Sequence, residues 1–441
     1  MRSFFYRLPL ILLFFGSLAY AQEEVLTKEE AIDLVLENNL DIQVARNTKT
    51  IDENNAGILN SGYLPTVSGN ASGSIDKQNS EGILANGDVR SAEGAETRRY
   101  SAAVNVNYTL FDGLGRYYNY KSFQERSEQS ELEVRQTIET TILQLFTVYY
   151  EAARLTENTN TLEQALEISK DRLKRAQYQF EFGQNTGLDV LNAEVDINTD
   201  SINLLNSRQQ LRNTMRDLNL ILNRDLSAQF EADTTVTFVP GLQMENMYNE
   251  AQMNNVRLQI AEKNINMGRY DIRVERSGFL PTIGLTGTYG WNESNNNSPL
   301  AFVLQNTSTG VTGAINLTWN LFDGGTTITG IKNAKIAYQN QEIAKKQIQL
   351  EVERDIRNAW DSYTNALYVL EVQEKNLQTN QNNFTRTDER YKLGQVTSIE
   401  FRQAQLNLLN AELAKSQAKY NAKLAELQML QVSGQLLNVE F

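Results

Sequence analysis

The 441-residue chain contains no cysteine and no histidine. Thiolate nucleophiles, Ser-His-Asp or Cys-His machinery, and ordinary zinc or haem ligation are thereby excluded, which weakens most enzyme classes. Only 5 residues are proline, about one per cent against a usual level near five, as suits long uninterrupted helices. Positive charge is in the minority: 41 Lys+Arg face 54 Asp+Glu, a formal net charge of −13, so the basic footprint of a nucleic-acid binder is missing. Beyond the N-terminal segment no apolar run reaches 18 residues, and the mean hydropathy is −0.46. No transmembrane helix is expected, and a membrane could be entered only as a β-barrel, which hydropathy does not reveal.

The N-terminal segment reads as a secretory signal peptide over residues 1–21. Arg2 and Arg7 make its positive region, Leu8 to Phe15 its short apolar core, and Ala19-Tyr20-Ala21 its cleavage site. The mature chain would begin at Gln22. Loss of two arginines and no acid takes the charge from −13 to −15. No cysteine follows the cut, so a lipoprotein anchor is not expected, and the apolar core is too short for a membrane-spanning anchor.

The remainder is a tandem repeat. Leu110-Phe111-Asp112-Gly113 recurs as Leu321-Phe322-Asp323-Gly324, an offset of 211, and the same offset carries Phe182-Gly183-Gln184 onto Leu393-Gly394-Gln395. Gly62-Tyr63-Leu64-Pro65-Thr66 recurs as Gly278-Phe279-Leu280-Pro281-Thr282, offset 216. The expected organisation is a first repeat over 22–223, a linker or equatorial belt over 224–246, and a second repeat over 247–441. Within each repeat a heptad seam runs for about 70 residues: Val352, Ile356, Ala359, Tyr363, Ala366 and Leu370 continue to Tyr391, and Leu145, Val148, Ala152 and Leu155 continue to Phe180. One helix of that length spans on the order of 100 Å. Shorter helices should line it in end-to-end pairs, Leu188–Asn223 with Met247–Ser277, and Ile399–Val432 with Lys28–Leu59. The aromatics Tyr149, Tyr363 and Phe384 read as seam packing.

After Pro65 and Pro281 the period drops to two. Val67, Gly69, Ala71, Gly73 and Ile75 alternate with Ser68, Asn70, Ser72 and Ser74, and three further strands follow near 102–110, 283–291 and 315–321. One apolar and one polar face over about ten residues is the pattern of a transmembrane strand. Tyr108, Tyr289, Trp291 and Trp319 suit an interfacial belt, and polar loops over 76–99 and 292–309 would close the two hairpins. The alternative is a soluble periplasmic coiled-coil scaffold or adaptor whose hairpins are docking sheets. Four strands cannot close a membrane barrel; two copies would give eight strands around a filled lumen, three would give twelve around water.

The doubled order of helix, Leu-Pro, hairpin, Leu-Phe-Asp-Gly, long helix, Tyr/Phe-x-x-Gly tip and returning helix resembles the TolC family of outer-membrane efflux proteins over essentially the whole mature chain. The resemblance implies a mainly α fold with β: antiparallel coiled-coil helices and two β-hairpins that build a twelve-stranded homotrimeric outer-membrane barrel on a periplasmic α-barrel. It implies an exit duct of a tripartite efflux pump or type I secretion system, not an enzyme, with no cofactor. Its implied partners are a periplasmic adaptor and an inner-membrane transporter, either a proton-driven pump or an ATP-driven exporter.

Candidate residues fall in two groups. Pro65, Pro281, Gly113 and Gly324 mark the helix–strand junctions, the prolines ending helices and the glycines permitting the return bend. At the tips, Gly183 and Gly394 suit helix C-caps, while Thr186 with Asp189 and Thr397 with Glu400 resemble capping boxes. The family pattern further places mouth carboxylates at Glu400 and at position 403, where this chain has Gln403. It also implies an Asp189–Tyr391 hydrogen bond tying the two hairpins in the closed state.

Overall fold

The structure, a computed structural model, describes residues 25–439, so the expected signal peptide lies outside the described residues. In chain order the elements are β1 (Val25–Leu26), α1 (Lys28–Asn38), α2 (Leu40–Asn55), β2 (Thr66–Ile83), β3 (Val89–Asp112), α3 (Gly115–Glu181), α4 (Gly187–Ile221), β4 (Glu231–Ala232), α5 (Met244–Asn254), α6 (Val256–Ser277), β5 (Thr282–Asn296), β6 (Gln305–Thr318), α7 (Thr326–Lys392) and α8 (Ser398–Val432).

The two long helices α3 and α7 each run 67 residues without a break, about 100 Å at 1.5 Å per residue. Each starts from a left-handed turn: φ is +68° at Gly113, +70° at Leu114, +71° at Gly324 and +89° at Gly325. The aspartate of each Leu-Phe-Asp-Gly motif then caps the helix. Asp112 accepts from the Arg116 backbone N–H at 3.0 Å, and Asp323 from that of Thr327 at 2.8 Å. The predicted seams face inward along most of their length, with Leu145, Ala152, Leu155, Val352, Ile356, Tyr363 and Leu370 all buried, but Phe180 at the end of the first seam is exposed.

The shorter helices pair otherwise than expected. Both Lys28–Leu59 and Met247–Ser277 are broken, at Asn39 and Asn255, where an extended residue ends one helix and caps the next. Asn39 Oδ1 accepts from the N–H groups of Asp41 and Ile42, while its Nδ2 donates to Ile221 O, the last carbonyl of α4, at 3.0 Å. Asn255 does the same for α8, donating to Val432 O at 2.9 Å. So α4 abuts α2 and α8 abuts α6, the reverse of the predicted pairing. Each asparagine satisfies orphan groups of two helix ends at once. With α3 packed on α2, α4, α6 and α8, and α7 packed on α6 and α8, the order across the helical layer is α2/α4, α3, α6/α8, α7.

The strands follow the same order. β2-β3-β5-β6 form one antiparallel sheet, continuing α2, α3, α6 and α7 respectively. The hairpins are longer than predicted. Residues expected as loop pair instead as strand, from Asp76 opposite Thr97 out to Ile83 opposite Val89, and only 84–88 turn. Both faces of this extension are polar, so it carries no period-two signal. β6 by contrast stops at Thr318, leaving Trp319 outside the ladder with its indole N–H donating to Phe279 O at 3.1 Å.

The main core lies midway along the helices, under the belt. Leu26 and Ala232, from the parallel pair β1–β4, and Phe230 just before β4 join Phe146, Tyr149, Tyr150, Tyr420 and Leu427 there. Side chains of α8 hold the belt backbone: Lys423 donates to Thr237 O at 2.8 Å, and Glu426 accepts from Val239 N at 3.0 Å.

Candidate functional site

The sheet is amphipathic in register. One row across all four strands reads Ser68, Asn105, Thr288, Thr312; the next reads Gly69, Val104, Tyr289, Val311. Polar rows are stitched laterally, Ser72 to Ser101 at 2.8 Å and Thr288 to Asn105 at 2.9 Å. Among the described residues nothing covers the apolar face: Val311 is 80% exposed and Ile315 70%. Tyr108 stands opposite Leu285 and Trp291 lies six residues on, roughly 20 Å at 3.4 Å per residue, close to the about 25 Å apolar band of an outer-membrane barrel. Past Trp291 the rows turn charged, with Glu293, Arg98, Arg99 and Asp76.

Both lateral edges are open and mutually suited. β2 and β6 are the unpaired edge strands and are exposed throughout or nearly so. Below them, the free helices carry exposed apolar residues at heptad spacing: Val44 and Ile51 on α2, Leu188, Val195 and Ile202 on α4, and Ile336, Ile343 and Leu350 on α7. On a lone chain such stripes would be an association surface.

At the junctions, Pro65 and Pro281 stand immediately before β2 and β5. Pro281 lies four residues beyond α6, but α2 has already ended at Asn55, so Pro65 starts its strand without ending that helix. Gly113 is closely packed, since a Cβ there would meet Ser277 O at 2.6 Å, whereas at Gly324 it would meet nothing within 4 Å.

The tips are built alike. Gly183 and Gly394 are left-handed (φ +71° and +72°). Gln184 N–H reaches Gln179 O and Gln395 N–H reaches Arg390 O, the six-to-one bond of a Schellman turn. Thr186 then donates through N–H and hydroxyl to Asp189, and Thr397 likewise to Glu400. These bonds from Thr397 hold the Glu400 carboxyl below the usual glutamate range, so it is an exposed, fixed negative charge. Gln403 is exposed beside it and donates to Asn407 at 2.8 Å.

The expected Asp189–Tyr391 tie is not formed within the chain. Asp189 spends its carboxylate on its own cap, and the Tyr391 hydroxyl is buried with no hydrogen-bond partner among the described residues. The Tyr391 ring instead stacks on Phe401 at 4.6 Å, under the Arg175 guanidinium. The hairpins are joined deeper, by a buried polar cluster that the sequence reading missed: Arg402 of α8 forks onto Asp200 of α4 at 2.7 and 2.8 Å, and Ser169, Arg172, Asp196 and Gln405 surround it. The signal was present. Arg402, Leu409, Ser416, Lys423 and Leu430 recur at sevens and are all buried, and charged residues on such a row demand partners.

Comparison with known proteins agrees with this geometry. The family model described as "Outer membrane efflux protein" matches residues 31–224 and 247–435. Outer membrane efflux protein BepC of Brucella suis is 21% identical over 401 residues, covering 90% of this chain and 83% of its own. Outer membrane protein TolC of Vibrio cholerae is 23% identical over 349 residues, 77% of this chain and 78% of its own. Among solved structures, the Campylobacter jejuni CmeC outer membrane channel shares the fold with a TM-score of 0.76 at 19% identity, over 93% of this chain and 86% of that one. Tandem repeat, register-matched sheet and family match together make this chain a member of the outer membrane efflux protein family, the TolC family, located in the outer membrane.

Proposed function

We infer that three copies close edge to edge into a passive duct, a twelve-stranded barrel continuous with a helical tunnel reaching into the periplasm. The observation that carries this is the coincidence of free edges: the sheet ends in β2 and β6, the helical layer ends in α2/α4 and α7, and the same side of the chain is open in both. β2 and β6 run antiparallel, so head-to-tail copies continue one all-antiparallel barrel without a seam. Eight strands would leave a lumen that side chains must fill, and rows of Ser, Asn, Thr and Gly do not make a dry core. Twelve leave room for the water those residues need.

Such a duct serves as the outer exit of a tripartite efflux pump or a type I secretion system. A periplasmic adaptor docks at the tips, and an inner-membrane transporter supplies energy and selectivity. Three copies of Glu400 make a charged ring at the periplasmic mouth, with Gln403 a neutral ring beyond it. The test is reconstitution of detergent-extracted protein in a planar bilayer, with its mass measured in the same detergent. A trimeric mass with discrete ion conductance is expected. A monomer released by osmotic shock that never conducts would refute the reading.

A further inference from the structure

We propose that the apolar tips of the two β-hairpins form a clasp between copies outside the membrane, the β5–β6 tip of one chain seating on the β2–β3 tip of the next. The inference rests on the duct reading above and assigns a contact to it. Ile83, Leu84 and Val89 on the first tip, and Phe302, Val303 and Leu304 on the second, are all exposed, although the strand ends that carry them are otherwise polar. Both tips are held in place. Leu84 N–H donates to Asp88 O and Gly87 N–H to Leu84 O, each at 2.9 Å. Asn296 N–H donates to Leu304 O at 2.7 Å and Asn297 N–H to Glu96 O at 3.1 Å, while Glu96 N–H returns to Asn297 Oδ1 at 2.7 Å. Lipid is out of their reach. Leu84 lies thirteen residues beyond Ala71, which shares a row with Trp291, about 44 Å of strand and roughly 30 Å of height at a 45° tilt.

The tandem repeat identifies the partner. β2 corresponds to β5 at an offset of 216 and β3 to β6 at 211. The two hairpins obey this to the residue: Thr66 opposes Asn107 as Thr282 opposes Thr318. Between the hairpins, β3 meets β5 with Asn107 opposite Thr286. The junction missing from a single chain is β6 against the β2 of the next copy, and the same offsets place Thr318 opposite Asn70 there. Counting outward, Ile315 falls opposite Gly73, so apolar face meets apolar face. Gln305, the first residue of β6, falls opposite Ile83, the last of β2. The outer part of β2 is therefore no overhang, since all of β6 is needed to pair it. One step further, Leu304 stands opposite Leu84, a cross-strand pair with Cβ atoms about 4.5–5.5 Å apart, and Val303 lies diagonal to Ile83 on the other face. Each exposed tip thus meets apolar side chains of its neighbour.

The test is cross-linking in isolated outer membranes, which the absence of native cysteine makes clean. Two full-length chains with different tags are co-expressed, one carrying Leu84→Cys and the other Leu304→Cys, and oxidised with copper phenanthroline. A doubly tagged dimer is expected, about ten-fold more abundant than from Ser74→Cys with Leu304→Cys, whose sites lie roughly 34 Å apart along the strand. Gly73→Cys with Ile315→Cys reports the strand junction itself. Linking of that pair without the tip pair overturns the clasp and leaves the duct standing, as does linking of Phe302→Cys to itself with the tip pair silent, which would place the tips at the axis. If the cysteine chains fail to assemble, Leu304→Ser serves: it should lower by several degrees the temperature at which the trimer dissociates in SDS, and an unchanged temperature overturns the clasp. Absence of both links in well-expressed chains that run only as monomers overturns the duct itself.

Discussion

Adjacent tyrosines at the centre of α3 offer an internally controlled test of what pins the belt. Tyr149 donates to Leu26 O at 2.6 Å and accepts from Asp233 N at 2.9 Å, so one hydroxyl holds both β1 and the end of β4. Burial pushes its phenol up to about 12, and it stays a donor at any physiological pH. The Tyr150 hydroxyl is equally buried but has no hydrogen-bond partner among the described residues, its ring being held by Phe146 at 5.6 Å and Tyr420 at 5.8 Å. Tyr149→Phe orphans a carbonyl and an amide. At about 1–3 kcal/mol for each buried group, less for the half-exposed Asp233, the cost is about 2–3 kcal/mol. With a tenfold change per 1.36 kcal/mol, amide exchange at Asp233 and around Leu26 should accelerate roughly 30- to 150-fold. Tyr150→Phe removes only an unsatisfied group and should be neutral or stabilising by up to about 1 kcal/mol. Hydrogen-exchange mass spectrometry on peptides spanning 25–31 and 228–239 reads both. Equal acceleration in the two variants, or none in Tyr149→Phe, would refute the assignment of the β1 and β4-end contacts to the Tyr149 hydroxyl.

Five other substitutions test the same fold. Gly113→Ala forces a Cβ to 2.6 Å from Ser277 O at φ +68° and should sharply reduce heat-modifiable trimer, whereas Gly324→Ala, with open space, should cost only the left-handed penalty of about 1–2 kcal/mol. Asn39→Ala and Asn255→Ala each remove a helix cap and the bond to the end of the abutting helix, α4 or α8, so each should lower stability by about 1–2 kcal/mol and raise proteolysis at its own joint. Burial raises the Glu412 carboxyl above its ordinary 4.5, so the folded chain holds that proton more tightly than the unfolded one. Its contribution is complete below the ordinary value and is lost as pH rises through the raised one. Glu412→Gln should accordingly stabilise at pH 7, with the difference gone by about pH 4; an unchanged difference across that window would exclude the titration.

What the sequence by itself determined is whatever local periodicity encodes. A seam at sevens from Val352 to Tyr391 predicts a continuous helix, since only a helix brings those positions to one side, and α7 spans it. Alternation after Pro65 and Pro281 predicts four amphipathic strands, and the register aligns them row by row. Tip glycines and their Thr-x-x-Asp/Glu caps were legible because a cap is made within a few residues. Tertiary structure alone decided the rest, because its determinants lie far apart in sequence. Asn39 is an unremarked polar residue until its amide meets a carbonyl 182 positions away, and that contact settles which short helix abuts which. The outer strand extensions are polar on both faces, so only pairing reveals them. Arg402 and Asp200 are 202 residues apart; the seven-residue row marks Arg402 as facing inward but does not name its partner, and their burial becomes affordable only when two separately folded hairpins bring the fork to the carboxylate.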